Sequence, residues 1–291
     1  MFDRKFHTIA VVAPAGPLAP EKAERGLAFL EAAGKRVRVM PQVFGGDVLP
    51  YLAAPAVARA ADLTAAWLDP EVDLILCARG GYGSCQILPY LDWERLKKRP
   101  AMPVVGYSDI TALHFAMTRF GAGEPVAAPM LGKLAEAFAD DYVCREWNAL
   151  WEDGTAETPL RLPTGERLRF LRSGRVTAEV LVGNLAVAAS LCGTPFLPSA
   201  AGRIVILEDL NEAPYRIDRY LTQLNMSGFF ADCAGIAFGG FLDCGAAGQL
   251  ERLFRRALDW TAGPVATGFP FSHGLPLLPL RFSRKLTLAS E

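Results

Sequence analysis

Thr8-Ile9-Ala10-Val11-Val12-Ala13 is a continuous apolar run closed by Pro14. A strand with one wet face would alternate. This run predicts a strand buried on both sides, as in a parallel sheet covered by helices. The segments that follow alternate in kind. Residues 20–33 predict a helix, with Pro20 at its start, Ala23, Leu27 and Leu30 on one side and Gly34 as its stop. Residues 37–40 predict the next strand, 56–68 a helix, 73–78 a strand, 103–107 a strand, and 109–120 a helix. Such alternation predicts an α/β fold whose N-terminal sheet is mostly parallel and flanked by helices. In these sheets ligands gather at the carboxyl ends of strands. Ser108 stands at one.

The second half predicts strands at 177–182, 203–207, 235–238 and 265–267, and helices at about 214–225 and 248–260. Dense Gly and Pro punctuation there points to a smaller C-terminal mixed α/β domain, rich in strands. The stretch 140–175 is polar and includes Trp151-Glu152-Asp153-Gly154-Thr155, which reads as a linker with short strands. The expected division is an N-terminal α/β domain at 1–150, a linker at 151–175 and a C-terminal domain at 176–291.

Apolar residues make up 51% of the chain and charged residues 21%, the composition of an ordinary globular protein. Lys and Arg number 30 against 31 Asp and Glu, so no net field is left to attract nucleic acid or an anionic membrane. The six cysteines are scattered, with no CxxC pair, as buried reduced thiols would be. No signal-peptide pattern opens the sequence, and no run reaches the roughly 18–20 apolar residues of a membrane span. The expected compartment is the cytoplasm. Nothing has metal-ligand spacing, so neither metal nor cofactor is expected.

Three segments carry chemistry. Ser108, in Gly106-Tyr107-Ser108-Asp109, follows a strand and precedes a helix, where a hydroxyl can be held above a sheet edge. The following amide, from Asp109, is a candidate oxyanion donor. The elbow motif GxSxG is half matched, since Ile110 stands where its second glycine belongs. Of the three histidines, His114 lies among apolar neighbours, His7 is near the terminus, and His273 sits in a Gly/Pro-rich loop, so His273 is the best general base. An acid must orient that base, and Glu208, Asp209 and Glu212 compete for the role after an apolar strand. In Arg79-Gly80-Gly81-Tyr82-Gly83, Gly80 or Gly81 can supply a second oxyanion donor.

Taken in order, these segments resemble the LD-carboxypeptidase family, which comprises muramoyltetrapeptide carboxypeptidases and the related microcin C self-immunity peptidases. The likeness runs through Val11-Val12-Ala13-Pro14-Ala15-Gly16, the Ala78 to Gly83 turn, Gly106-Tyr107-Ser108-Asp109, Gly183-Asn184-Leu185 and Gly193-Thr194-Pro195. It continues in Leu207-Glu208-Asp209, the run from Glu212 to Arg219, Gly239-Gly240-Phe241 and His273-Gly274. The resemblance implies a two-domain serine peptidase with Ser108 as nucleophile, Glu208 as orienting carboxylate and His273 as base. Gly81 and Asp109 match the family's oxyanion donors. It also implies removal of the terminal D-alanine from a murein tetrapeptide during cytoplasmic recycling of cell-wall fragments. Two departures bear on substrate detail: Ala127-Ala128-Pro129 replaces a His-Gly-Pro run, and Phe271-Ser272 precedes His273 where Gly-His-Gly is usual.

A carboxypeptidase needs a cation for the substrate's terminal carboxylate, and Arg79 is the candidate from its place beside the glycine turn. Two other readings share the sequence: a microcin C-type peptidase or amidase on the same scaffold, and a small-molecule binding protein with a cleft between α/β domains. The expected partner is a murein-derived peptide. Oligomeric state is left open, a homodimer included.

Overall fold

The strand at the start of the chain, β1 (Thr8–Val12), is buried along its whole length. It lies in a parallel array with β2 (Arg36–Val39), β3 (Leu74–Cys77), β4 (Pro103–Gly106) and β5 (Glu124–Ala127), in spatial order β5-β4-β3-β1-β2. β3 and β4 are likewise fully buried, because helices cover both faces. β2 is the open edge, and its Arg38 pairs there with Asp69 and Glu71. Charge on an edge strand discourages pairing with another chain.

The computed structural model describes residues 5–46, 49–99, 101–152, 157–158 and 160–290. Asp153, Gly154 and Thr155 of the expected linker lie outside the described residues, as do the four residues that open the chain. The remaining strands are β6 (Glu157–Thr158), β7 (Arg169–Arg172), β8 (Arg175–Asn184), β9 (Ile204–Leu210), β10 (Gly235–Leu242), β11 (Val265–Thr267), β12 (Leu280–Arg281) and β13 (Lys285–Ala289). Among the described residues the second sheet runs β6-β13-β8-β9-β10-β11-β7, with β8 to β11 parallel, β7 antiparallel to β11, and β13 antiparallel to β8 but parallel to β6. β12 leaves this region and pairs antiparallel with β5, completing a six-stranded first sheet. The fold is thus two α/β sheets with flanking helices, the first mostly parallel. No helix among the described residues is long and apolar enough to cross a membrane.

The structure differs from the sequence reading in several places. The polar stretch after residue 140 holds a helix, Asp141–Ala149, whose N-terminus is capped by the Asp140 carboxylate accepting from Tyr142 N at 2.8 Å. Its buried residues Tyr142, Val143, Glu146 and Trp147 form a narrow stripe that composition alone does not reveal. The strand expected to end at 207 runs on to Leu210. The helix expected at 248–260 is α-helical only over Ala247–Phe254, then tightens to a 3₁₀ segment, Arg255–Asp259.

One contact shapes the future cleft. In the helix Pro20–Ala32, a Cβ on Gly26 would stand 2.9 Å from Leu131 Cγ. The glycine therefore lets this helix press against the Leu131–Lys133 turn, and both elements contribute to the cleft lining.

Candidate active site

β4 ends at Gly106, and the chain turns back so tightly that a Cβ there would meet Ile110 at 2.9 Å. This explains both the glycine and the apolar residue at 110: the buried Ile110 side chain fills the space above Gly106. Ser108 then adopts φ +63°, a left-handed conformation uncommon for a residue with a Cβ. Such a residue costs about 1–2 kcal/mol, held here by the turn that leads into the helix Thr111–Phe120. The geometry lifts the hydroxyl off the end of the sheet.

His273 reaches Ser108 from the second half of the chain. Its loop follows β11 and is pinned by Gly240 N donating to Phe271 O at 3.0 Å and Leu278 N donating to Pro270 O at 2.7 Å. The Ser108 Oγ–H donates to His273 Nε2 at 2.8 Å, and His273 Nδ1–H donates to Glu208 Oε2 at 2.7 Å. The tautomer follows from the acid, because an ionised carboxylate has no proton to give. Glu208 is fully buried within β9, beside Asn184 at the end of β8, whose amide donates to Glu208 Oε1 at 3.4 Å.

The other acids are occupied elsewhere. Asp209 accepts from Asn184 Nδ2 at 2.8 Å, Leu210 N at 2.9 Å and Ala186 N at 3.0 Å. Burial pushes its pKa up to about 6 despite those donors. Glu212 pairs with Arg216 at 3.5 Å. Among the remaining histidines, His114 is buried with Nε2–H donating to Val104 O at 2.9 Å, and its pKa is lowered to about 4, chiefly by desolvation. His7 is exposed at the start of β1.

The glycine turn after β3 lies directly over the nucleophile. A Cβ on Gly80 would meet Ser108 Oγ at 3.0 Å and Asp109 N at 3.3 Å. Gly81 follows with φ +111°, which favours glycine. Asp109 points its carboxylate away from the cleft, accepting from Ser84 N at 2.8 Å. The cleft above Ser108 holds about 220 Å³, and its lining includes Arg79, Gly80, Gly81, Tyr107, Ser108 and His273. Leu18, Lys22, Met130 and Lys133 also line it. Lys22 and Lys133 carried no sequence signal, since the helix that bears Lys22 and the turn that bears Lys133 line the cleft only once they are packed beside Ser108. Asn184 stood in a quoted motif without a role. Among the described residues, no group of three or more His, Cys, Asp or Glu side chains gathers as a metal site would.

Comparison with known proteins places this geometry in context. Residues 9–123 match the LD-carboxypeptidase N-terminal domain, and residues 177–288 match the LD-carboxypeptidase C-terminal domain. The chain is 32% identical to the probable murein peptide carboxypeptidase of Bacillus subtilis, covering 98% of this chain and 89% of that protein. It is 31% identical to the murein tetrapeptide carboxypeptidase of Pseudomonas aeruginosa, covering 91% and 88% respectively. A solved structure of muramoyltetrapeptide carboxypeptidase from Oxalobacter formigenes superposes with a TM-score of 0.80 at 23% identity, over 98% of this chain and 95% of the other. The microcin self-immunity protein MccF superposes with a TM-score of 0.83 at 22% identity, over 97% and 93%, a likeness of fold. Both family models fit in order, and close relatives align along nearly the whole length: this chain belongs to the LD-carboxypeptidase family of peptidases, S66.

Proposed function

We propose that this protein is a serine-type LD-carboxypeptidase that releases the terminal D-alanine of a murein tetrapeptide through an acyl-enzyme. The observation that carries this reading is the unbroken relay from Ser108 through His273 to Glu208, at 2.8 and 2.7 Å. Ser108 Oγ attacks the carbonyl preceding D-alanine while His273 Nε2 takes its proton. The tetrahedral oxyanion is held by the Gly81 and Asp109 amides. His273 then hands the proton to the amine of the departing D-alanine, and the C–N bond breaks to leave the acyl group on Ser108. Water, activated by the same imidazole, attacks the ester and frees the enzyme. Glu208 keeps the proton on Nδ1 and stabilises the imidazolium that forms.

The cleft supports a substrate bearing carboxylates. Arg79, Lys22 and Lys133 line it, and among its described lining residues there is no Asp or Glu. Arg79 remains our choice for the terminal carboxylate, with Lys133, whose Nζ lies 3.5 Å from His273 O, as a second cation lining the same cleft. The strained φ of Ser108 argues against a plain binding protein, because binding alone gives no reason to hold a serine there. Work in the cytoplasm on recycled cell-wall peptides belongs to the same reading.

The test is mass spectrometry of a murein tetrapeptide incubated with the protein, in parallel with an acylated aminonucleotide. Loss of one alanine from the tetrapeptide is expected. Cleavage of the nucleotide alone would move the chain to the microcin-type activity.

A further inference from the structure

Arg59, on the helix Ala56–Leu68, is 1% exposed and lies behind the glycine turn rather than in the cleft. Its Nε donates to Ala54 O at 2.7 Å, its Nη1 to Gly83 O at 2.8 Å and also to Pro14 O, and its Nη2 to Gln86 Oε1 at 2.7 Å. A guanidinium withdrawn from water needs such a spread of acceptors, and its planar fork reaches several at once where an ammonium cannot. Main-chain carbonyls of three loops are thereby joined: the loop after β1, the approach to the Arg59 helix, and the turn after β3.

A second link runs from that turn to the nucleophile. Ser84, fully buried, donates its N–H to Asp109 Oδ2 at 2.8 Å and its hydroxyl to Asp109 O. Gly16 N–H donates to Gly80 O at 3.4 Å. In a trans peptide the Gly81 N–H points opposite to the Gly80 carbonyl, so anchoring that oxygen on Gly16 aims the amide away from it. Gly81 and Gly83, at φ +111° and +115°, have wide backbone freedom, and the turn needs external clamps to hold one shape.

On the serine-peptidase reading above, we propose that Arg59 and the Ser84–Asp109 clasp are positioning residues for the oxyanion site. The guanidinium fixes the glycine turn from behind, and the clasp sets its spacing from Ser108, so that the Gly81 and Asp109 amides converge on one oxygen. Neither Arg59 nor Ser84 touches the reacting atoms.

Arg59→Lys keeps the charge and loses the fork. Its kcat for release of the terminal residue is expected to fall about 100-fold, the scale for misplaced oxyanion donors, with KM changed by less than about threefold. Affinity for a peptide aldehyde, whose hemiacetal oxygen occupies the oxyanion position, should fall in parallel with kcat; a merely structural loss would leave it intact in the folded fraction. Amide hydrogen exchange over 80–84 and 107–110 needs no substrate and should accelerate by about tenfold or more. Ser84→Ala, a smaller change, should move the same quantities in the same direction and covers the case in which Arg59→Lys fails to fold. Unchanged kcat and aldehyde affinity in an active enzyme, or unchanged exchange at both segments, overturns the proposal. Accelerated exchange in a protein whose wild type cleaves no peptide acid would support the clamp and refute the serine-peptidase reading instead.

Discussion

Gly239, on β10, lies directly under the main chain of Phe271, with so little room that a Cβ on it would run into the Phe271 carbonyl oxygen. The same Cβ would stand 3.3 Å from Glu208 Cβ. This glycine therefore sets how far the His273 loop sits from the strand that bears its acid. Gly239→Ala is expected to push the loop outward, costing about 1–3 kcal/mol of stability and at least about tenfold in kcat. Thermal unfolding and steady-state kinetics on the same sample check both. Wild-type kcat in a destabilised variant would show that the loop position is not limiting.

Ser108→Ala removes the nucleophile and leaves the left-handed backbone as it was. Turnover should drop by about 10⁶-fold, the scale for loss of a serine acting in a triad, while the melting temperature stays close to wild type. Alanine release at wild-type rates would refute the acyl-enzyme route.

Glu208→Gln retains the size of a buried side chain that faces both His273 and Asn184. The amide can present an N–H to His273 Nδ1 and so favour the wrong tautomer. A fall in kcat of about 10⁴-fold with KM little changed is expected. Asp209→Asn, by contrast, should cost far less activity, because Asp209 does not bond the imidazole.

Arg79→Ala and Lys133→Ala should each raise KM for a peptide acid by about tenfold or more, the scale of a charge-assisted hydrogen bond. Peptides with an amidated C-terminus should be handled poorly by wild type and variants alike. If KM for the acid is unchanged in Arg79→Ala, that residue does not hold the carboxylate.

His114 gives a pH dependence of stability. Its pKa falls from 6.5 to about 4 on folding, so the unfolded chain binds the proton more tightly. The stabilising contribution is fully present above about pH 6.5 and is lost as pH falls toward 4. At pH 4.5 wild type should have lost on the order of 2–3 kcal/mol through this residue. His114→Gln, which keeps a donor for Val104 O, should lose that much less between pH 7 and pH 4.5. Urea midpoints at the two pH values measure the difference.

Much of the first sheet could be read along the chain, because a strand buried on both faces is apolar at every position, as β1 is. The helix Ala56–Leu68 was equally plain. The helix at Asp141 was hidden, since charged residues surround a narrow buried stripe that itself includes Glu146. Periodicity could not choose among Glu208, Asp209 and Glu212. The choice depends on which side chain meets a loop 65 residues further on, and that is a property of sheet register. Arg59 was invisible for the same reason: an arginine inside an alanine-rich helix looks solvent-facing until its acceptors, up to 45 residues away, are folded around it.

The short strand Leu280–Arg281 lies along Val126 and Ala127, at the margin of a sheet whose other members all come from the first half of the chain. During synthesis on the ribosome, that margin stays uncovered until nearly the whole polypeptide has emerged. A product truncated before Leu280 would carry a raw β-edge, open to pairing with its own copies. Nascent chains stalled late in translation should therefore be prone to self-association.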